Sequence, residues 1–255
     1  VNSRRRPPWH RGRRSPQGPT AAGIVLAGGT GSRVGAALNK AFLPLSGRTI
    51  ASWGLSTMAS IRAIDPLVFV VRPEDRAHAE FVAEREVLGR DVEIIHGGKT
   101  RQESELLALR HLADRIDAGD VTHVLIHDAA RPLVSRGLVG AVLHAAMEHG
   151  GAVPALPAPE LLAHLGHDGL GLLQHEGLVR VQTPQGFDAP TILDAYEAAA
   201  RDGFVGTDTA SCAEEYTDLD VVWVRGEETN FKITYAQDLL LAQDVVTSLK
   251  LRVRD

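Results

Sequence analysis

Only one cysteine, Cys212, stands in the 255 residues, so no disulfide can form within the chain, and the sequence reads as cytoplasmic. Long apolar runs are missing too. None approaches the about 18 residues that a bilayer-crossing helix needs, so no membrane partner is expected. Acidic residues are absent from the first 20 positions, VNSRRRPPWHRGRRSPQGPT, which carry six arginines. The same stretch lacks an apolar segment, which excludes a secretory signal. It reads as a disordered Arg/Pro-rich extension, not as an arm for nucleic acid. With it set aside, 21 basic residues face 32 acidic ones, so the remainder is acidic. A content of 44% hydrophobic and 23% charged residues is enough to bury a core, and residues 21–250 suffice for one α/β domain.

From residue 21 onward, short apolar runs alternate with helical patterns. Strands are expected at Gly23–Ala27, Leu67–Arg72, Val92–His96, Val121–His127, Gly151–Leu156 and Asp220–Arg225. Their Val, Ile and Leu content suits strands buried on both faces, as in a parallel sheet covered by helices. Helices are expected near 49–60, 74–88, 101–116, 136–149, 189–201 and 235–249; in the third, Leu106, Leu109 and Ala113 recur at helical spacing. This alternation predicts a doubly wound α/β fold. The stretch Pro154–Gly177 breaks it, rich in Pro, Gly, His and Leu, and reads as a protruding loop or hairpin arm.

Chemistry enters with IVLAGGTGSRVG, Ile24–Gly35, followed by Asn39-Lys40. A buried strand ends at Ala27, and Gly28, Gly29 and Gly31 follow with Thr30 among them. Glycines let phosphate oxygens approach the backbone, and successive N–H groups in such a loop form an anion-binding nest. A tight turn without a ligand would account for the glycines but not for Arg33 and Lys40, whose cationic groups suit the spread charge of a triphosphate. The loop is not a Walker A motif, and at Gly29, Gly31 and Val34 it lacks the third glycine of a dinucleotide fingerprint.

The opening LAGGxGxRxG…K resembles several nucleotidyltransferase families that activate sugars and alcohols. Later motifs narrow the choice: GGKTRQES (Gly97–Ser104), HDAARP (His127–Pro132), QTPQGF (Gln182–Phe187), TDTAS (Thr207–Ser211) and NFKIT (Asn230–Thr234). In this order they resemble the 2-C-methyl-D-erythritol 4-phosphate cytidylyltransferase family over residues 22–247. Molybdopterin nucleotidyltransferases leave HDAARP and QTPQ unexplained. The resemblance implies a Rossmann-like, mostly parallel α/β domain and a homodimer formed through the arm. It implies Mg²⁺ as cofactor, and CTP and a small sugar-alcohol phosphate as substrates; the sequence itself offers no built-in protein metal centre. Arg33, Lys40 and Lys232 would be catalytic. Ala27, Gly28, Gly29, Thr30 and Gly31 would hold the triphosphate, and Gly98, Arg101 and Ser104 the cytosine and ribose end. Asp128 would serve nucleotide and substrate, and Arg131, Thr183 and Thr207 would line the acceptor side.

Physical chemistry agrees with such roles. A phosphate nucleophile is already ionised at neutral pH and needs no general base; the difficulty is bringing one anion onto another, which positioning and cationic stabilisation address. Other uses of these residues are a surface lysine at 232, a turn cap at Asp128, ion pairs at Arg101 and Arg131, and a turn before Pro184 at Thr183. His164 and His167 share an i,i+3 spacing but lack a third ligand, and Cys212 reads as a small buried residue. The arm departs from the family pattern. Ala158-Pro159-Glu160-Leu161 stands where the family carries Asp-Thr and a basic residue. His175 stands where the family has a phosphate-binding arginine, and Arg180 is out of register. A cytidylyltransferase for ribitol 5-phosphate or another polyol phosphate, or a CTP-binding paralogue without turnover, are the alternatives.

Overall fold

The strands bury side chains on both faces, and this creates two cores around one sheet. The structure is a computed structural model describing residues 21–29, 39–158, 162–166, 169–173 and 177–252. In chain order it begins with β1 (Ala21–Leu26), a short hairpin of β2 (Pro44–Leu45) and β3 (Arg48–Thr49), and α1 (Ile50–Ala59). Then come β4 (Ile64–Val71), α2 (Arg76–Glu86), β5 (Glu93–His96), α3 (Arg101–Asp117), β6 (His123–Asp128) and α4 (Arg136–His149). The second half holds β7 (Gly150–Pro157), β8 (Leu162–Gly166), β9 (Gly169–Leu173), β10 (Val179–Val181) and β11 (Gln185–Asp188). It closes with α5 (Ala189–Asp202), α6 (Thr209–Tyr216), β12 (Asp220–Arg225) and α7 (Ala236–Arg252).

Among the described residues the main sheet has eight strands in the order β10-β7-β11-β6-β1-β4-β5, with β12 on β7. β5, β4, β1 and β6 run parallel, β11 runs antiparallel between β6 and β7, and β12 pairs parallel with β7. Along β4, Leu67, Phe69 and Val71 enter one core with α1, α2 and α4, while Val68 and Val70 enter the other with α3, α5 and α6. Each fully buried Leu or Phe there contributes about 1.5–3 kcal/mol. Such a doubly covered, mostly parallel sheet is the α/β architecture expected from the alternation.

Gly186 shows how closely the layers approach: a Cβ there would stand 2.9 Å from Leu125 Cδ2 and 3.1 Å from Ala146 Cβ. α4 ends at Gly150, whose φ of 90° is a left-handed conformation that a side chain would strain. A third cluster, with Leu45, Ile50, Ile233, Ala242 and Val246, seats α7 beside the β2–β3 hairpin.

The expected arm is corrected at its start. Pro154 belongs to the sheet: β7 continues to Pro157, and the Pro154 carbonyl accepts the Gln182 N–H at 2.7 Å. Proline's missing donor does not end the strand, because its carbonyl is still paired. β8 and β9 then form a separate antiparallel pair, His164 lying on β8 and His167 outside the described residues. The expected strands at 121–127 and 67–72 fall at His123–Asp128 and Ile64–Val71, and the expected helix at 74–88 is a 3₁₀ turn (Pro73–Asp75) leading into α2. Cys212 is fully buried, as expected. Among the described residues, no helix is long and apolar enough to cross a membrane.

Candidate active site

The carboxyl ends of β1, β4, β5 and β6 share one side of the sheet. After β5 the chain crosses over β1 to β6, and a crevice at such a switch point is where open α/β sheets bind ligands. A cavity of about 380 Å³ opens there, lined by Ala27, Gly28, Gly29, Lys40, Gly98, Arg101, Ser104, Asp128 and Lys232, among others. Among the described residues, four cations line it (Lys40, Lys99, Arg101 and Lys232) against one carboxylate, Asp128. On a chain of formal charge −5, that local excess marks a site for a polyanion.

Each lining group is placed by ordinary folding forces. Ala27 directly follows β1, its N–H on the Val70 carbonyl at 2.8 Å. Thr100 caps α3 by accepting the Glu103 N–H at 3.0 Å, and the Glu103 carboxylate accepts the Lys99 N–H at 2.7 Å. The cap aims Arg101 and Ser104 at the cavity; the Ser104 hydroxyl accepts the Gly98 N–H at 3.0 Å and donates to the Thr100 carbonyl at 2.8 Å. A side chain at Gly98 would run into Glu103.

Lys232 arrives from the far end of the sequence because Ile233 is an anchor. The Ile233 side chain is fully buried against α7, and its N–H donates to the Ala130 carbonyl at 2.8 Å. Its neighbours Lys232 and Thr234 line the cavity. Lys40, at the start of a 3₁₀ turn (Lys40–Phe42), donates from Nζ to the Ile233 carbonyl at 2.9 Å. Two lysines 192 positions apart thus meet at one edge of the cavity.

Asp128 is the electrostatic centre. Its carboxylate accepts a very short hydrogen bond from Arg101 and lies 2.8 Å from Lys232 Nζ. Burial pushes its pKa up, but Arg101 and Lys232 outweigh burial and hold it well below the usual carboxylate range. Arg101 also stands 2.9 Å from the buried Glu105, which takes hydrogen bonds from Tyr196 (2.6 Å) and Thr209 (3.0 Å). Burial works against the Arg101 charge, yet the two carboxylates raise its pKa above the ordinary arginine value. Its Nη2 is buried without a hydrogen-bond partner among the described residues, an unused donor beside the cavity.

His127 locks the floor. Its Nε2 faces the Arg131 carbonyl at 3.0 Å, which can only accept, so that nitrogen carries the proton. Nδ1 then accepts from the Thr183 hydroxyl at 3.0 Å, and that hydroxyl in turn accepts the Asp128 N–H at 3.0 Å. Burial holds the imidazole neutral, its pKa down to about 4.

The sequence-derived candidates therefore divide. Ala27, Gly28, Gly29, Lys40, Gly98, Arg101, Ser104, Asp128 and Lys232 come together around the cavity. Thr30, Gly31 and Arg33 lie outside the described residues, as do Glu160 and His175. Arg131 and Thr183 lie beneath the cavity: Arg131 donates to the Asn230 carbonyl at 2.9 Å, and Thr183 serves His127 and Asp128. Arg101 does form ion pairs, one of them with the cavity's own carboxylate. Thr207 is exposed and does not line the cavity, its N–H donating to Ser211 Oγ at 3.0 Å. Asn39, Lys99, Thr234 and Glu105 were not among the candidates. For Glu105 a signal existed, an acid four residues after Arg101 on an apolar helix face.

Comparison with known proteins follows the same outline. The family model described as IspD, 2-C-methyl-D-erythritol 4-phosphate cytidylyltransferase, matches residues 21–248. The bifunctional enzyme IspD/IspF of Dinoroseobacter shibae is 36% identical over 225 residues, 88% of this chain and 53% of that protein. The chain thus spans about half the length of the bifunctional relatives it matches. The 2-C-methyl-D-erythritol 4-phosphate cytidylyltransferase of Bacillus cytotoxicus is 32% identical over 86% of this chain and 95% of its own length. The crystal structure of the Thermus thermophilus enzyme of that name superposes with a TM-score of 0.69 at 32% identity, covering 88% of this chain and 98% of that one.

Proposed function

The chain belongs to the 2-C-methyl-D-erythritol 4-phosphate cytidylyltransferase family, and on that footing we propose that it transfers CMP from CTP to 2-C-methyl-D-erythritol 4-phosphate, releasing pyrophosphate. The observation that carries this reading is the convergence of Lys40, Lys232, Arg101 and Asp128 on one cavity at the switch point of the sheet. An oxygen of the acceptor phosphate attacks the α-phosphorus of CTP, and the bond from that phosphorus to the β-phosphate oxygen breaks. The nucleophile is already an anion, so no side chain removes a proton. Lys40 and Lys232 offset the charge that gathers at the α-phosphate, held in place by Asp128 and the Ile233 carbonyl. The Gly28–Gly29 backbone receives the triphosphate, with Thr30, Gly31 and Arg33 continuing that role. Gly98, Arg101 and Ser104 take the nucleoside end. Arg131 and Thr183 support the acceptor side.

Among the described residues, Asp128 is the only acid lining the cavity, and no group of three or more metal-binding side chains occurs. That donor set fits Mg²⁺, which favours one or two carboxylates together with substrate phosphates. When bound, Mg²⁺ supplies charge neutralisation to the leaving pyrophosphate. We read the protein as a cytoplasmic homodimer. Trp223 is 62% exposed and, by strand register through β7, shares a sheet face with the exposed Val179 and Val181 at the base of the β8–β9 hairpin. A molar mass in solution of twice 27.4 kDa is expected, and the single-chain mass would refute dimerisation.

The functional test is pyrophosphate release from CTP and Mg²⁺ with a set of polyol phosphates. Turnover with 2-C-methyl-D-erythritol 4-phosphate and not with ribitol 5-phosphate is expected. The reverse preference overturns the acceptor, and CTP binding without release from any acceptor overturns the enzymatic reading.

A further inference from the structure

Asn39 is 2% exposed and uses every part of its amide. Nδ2 donates to the Ala27 carbonyl at 2.7 Å and to Asp75 Oδ2 at 2.8 Å, while Oδ1 accepts the Ala41 N–H at 3.1 Å. Two acceptors on one side and a donor on the other leave a single workable orientation for that amide. Asp75, itself 3% exposed, is held by a two-pronged bond from Arg72, with Nε at 2.7 Å from Oδ2 and Nη2 at 3.0 Å from Oδ1. Burial pushes the Asp75 carboxyl up, but Arg72 and Asn39 outweigh it and keep it ionised, below the usual carboxylate range.

The connection matters because of what it joins. Ala27 directly follows β1 and is already fastened to β4 through Val70. Asn39 immediately precedes the turn that carries Lys40, and its own carbonyl accepts the Phe42 N–H at 2.9 Å. The side chain therefore fixes the base of the turn that carries Lys40 to the rigid end of the central strand. Lys40 Nζ then reaches the Ile233 carbonyl, beside Lys232.

We propose that Asn39, aligned by the Asp75–Arg72 pair, is a positioning residue that sets Lys40 against the α-phosphate of the nucleotide. The inference rests on the role given to Lys40 above. A positioning residue acts on the geometry of the transition state, so its loss lowers kcat more than it raises KM.

Asn39→Asp is nearly isosteric but turns an oxygen toward both the Ala27 carbonyl and the Asp75 carboxylate. With CTP, 2-C-methyl-D-erythritol 4-phosphate and Mg²⁺, kcat should fall about 10²-fold while KM for CTP stays within about threefold. The double variant Asn39→Asp/Asp75→Asn returns a donor between the two side chains and should recover part of that loss. Melting curves give the folded fraction at the assay temperature. If Asn39→Asp does not fold, Asn39→Gln, which keeps the amide but displaces it, carries the same expected split. Unchanged kcat per folded molecule, with only a lower Tm, overturns the inference, and absence of recovery in the double variant overturns the role of Asp75. Lys40→Ala separates the two levels. A normal rate in Lys40→Ala overturns the catalytic reading of Lys40, and the inference falls with it; impaired Lys40→Ala beside unimpaired Asn39→Asp overturns the inference alone.

Discussion

In the proposed mechanism Lys40 and Lys232 act on the same developing charge, and the two are held differently, one by a carbonyl and one by a carboxylate. Replacing either with alanine removes a cationic donor aimed at the reacting phosphate, and kcat should fall by about 10²-fold or more in each case. Rates near wild type in both variants would show that the cations serve binding or folding instead. His127 makes a separate prediction about pH. Burial depresses its folded pKa to about 4, against about 6.5 in an unfolded chain, so the fold favours the neutral ring. Its stabilising contribution is complete above pH 6.5 and is lost as pH falls from 6.5 to 4, an order of about 3 kcal/mol. Urea midpoints measured across that range should decline on acidification, and less steeply in His127→Gln, where no titrating ring remains. Equal slopes in the two proteins would contradict the assignment. Below pH 4, protonation of Asp128 extends the loss, because its pKa too is depressed in the fold.

Among the elements, α3 brings Arg101 and Ser104 to the cavity, where the proposed function places the nucleoside, and its start is set by Thr100. Thr100→Ala removes the cap and should cost about 1 kcal/mol, a fall in Tm of about 2–4 °C for a chain of this size. No change in Tm would mean that Glu103 and the turn before it hold the helix end unaided. The long elements were legible because their physics is periodic: α3 repeats apolar residues at helical spacing, and β1, β4 and β6 are apolar on both faces. β10 and β11 were not legible. They lie either side of Thr183 and Pro184, and a Gln- and Pro-containing segment has no strand pattern of its own; pairing with β6 and β7 makes it one. α6, only eight residues long, depends on the Asp208 cap and on burial of Cys212 and Ala213 rather than on a long amphipathic stripe. At the site, lysines, arginines and glycines could be found by their chemistry. Asn39 and Glu105 escaped, since a buried polar residue gains meaning only from partners such as Ala27, Asp75 and Tyr196 that are distant in sequence.

For the whole molecule, the fold brings remote parts of the chain together at the carboxyl ends of the central strands: the turn that carries Lys40, the end of β6 with the start of α3, and the anchored strip before α7. An acidic protein thereby presents a cationic cavity, and the distribution of charge rather than its total sets the class of ligand. The central claim is that the acceptor attacks the α-phosphorus of CTP. Its most direct measurement uses CTP labelled with ³²P at the α-phosphate, incubated with 2-C-methyl-D-erythritol 4-phosphate, Mg²⁺ and the protein. The account predicts that the label passes to a cytidine-containing adduct of the acceptor while the released pyrophosphate is unlabelled. Label remaining in CTP, or appearing in free CMP without an adduct, would contradict it.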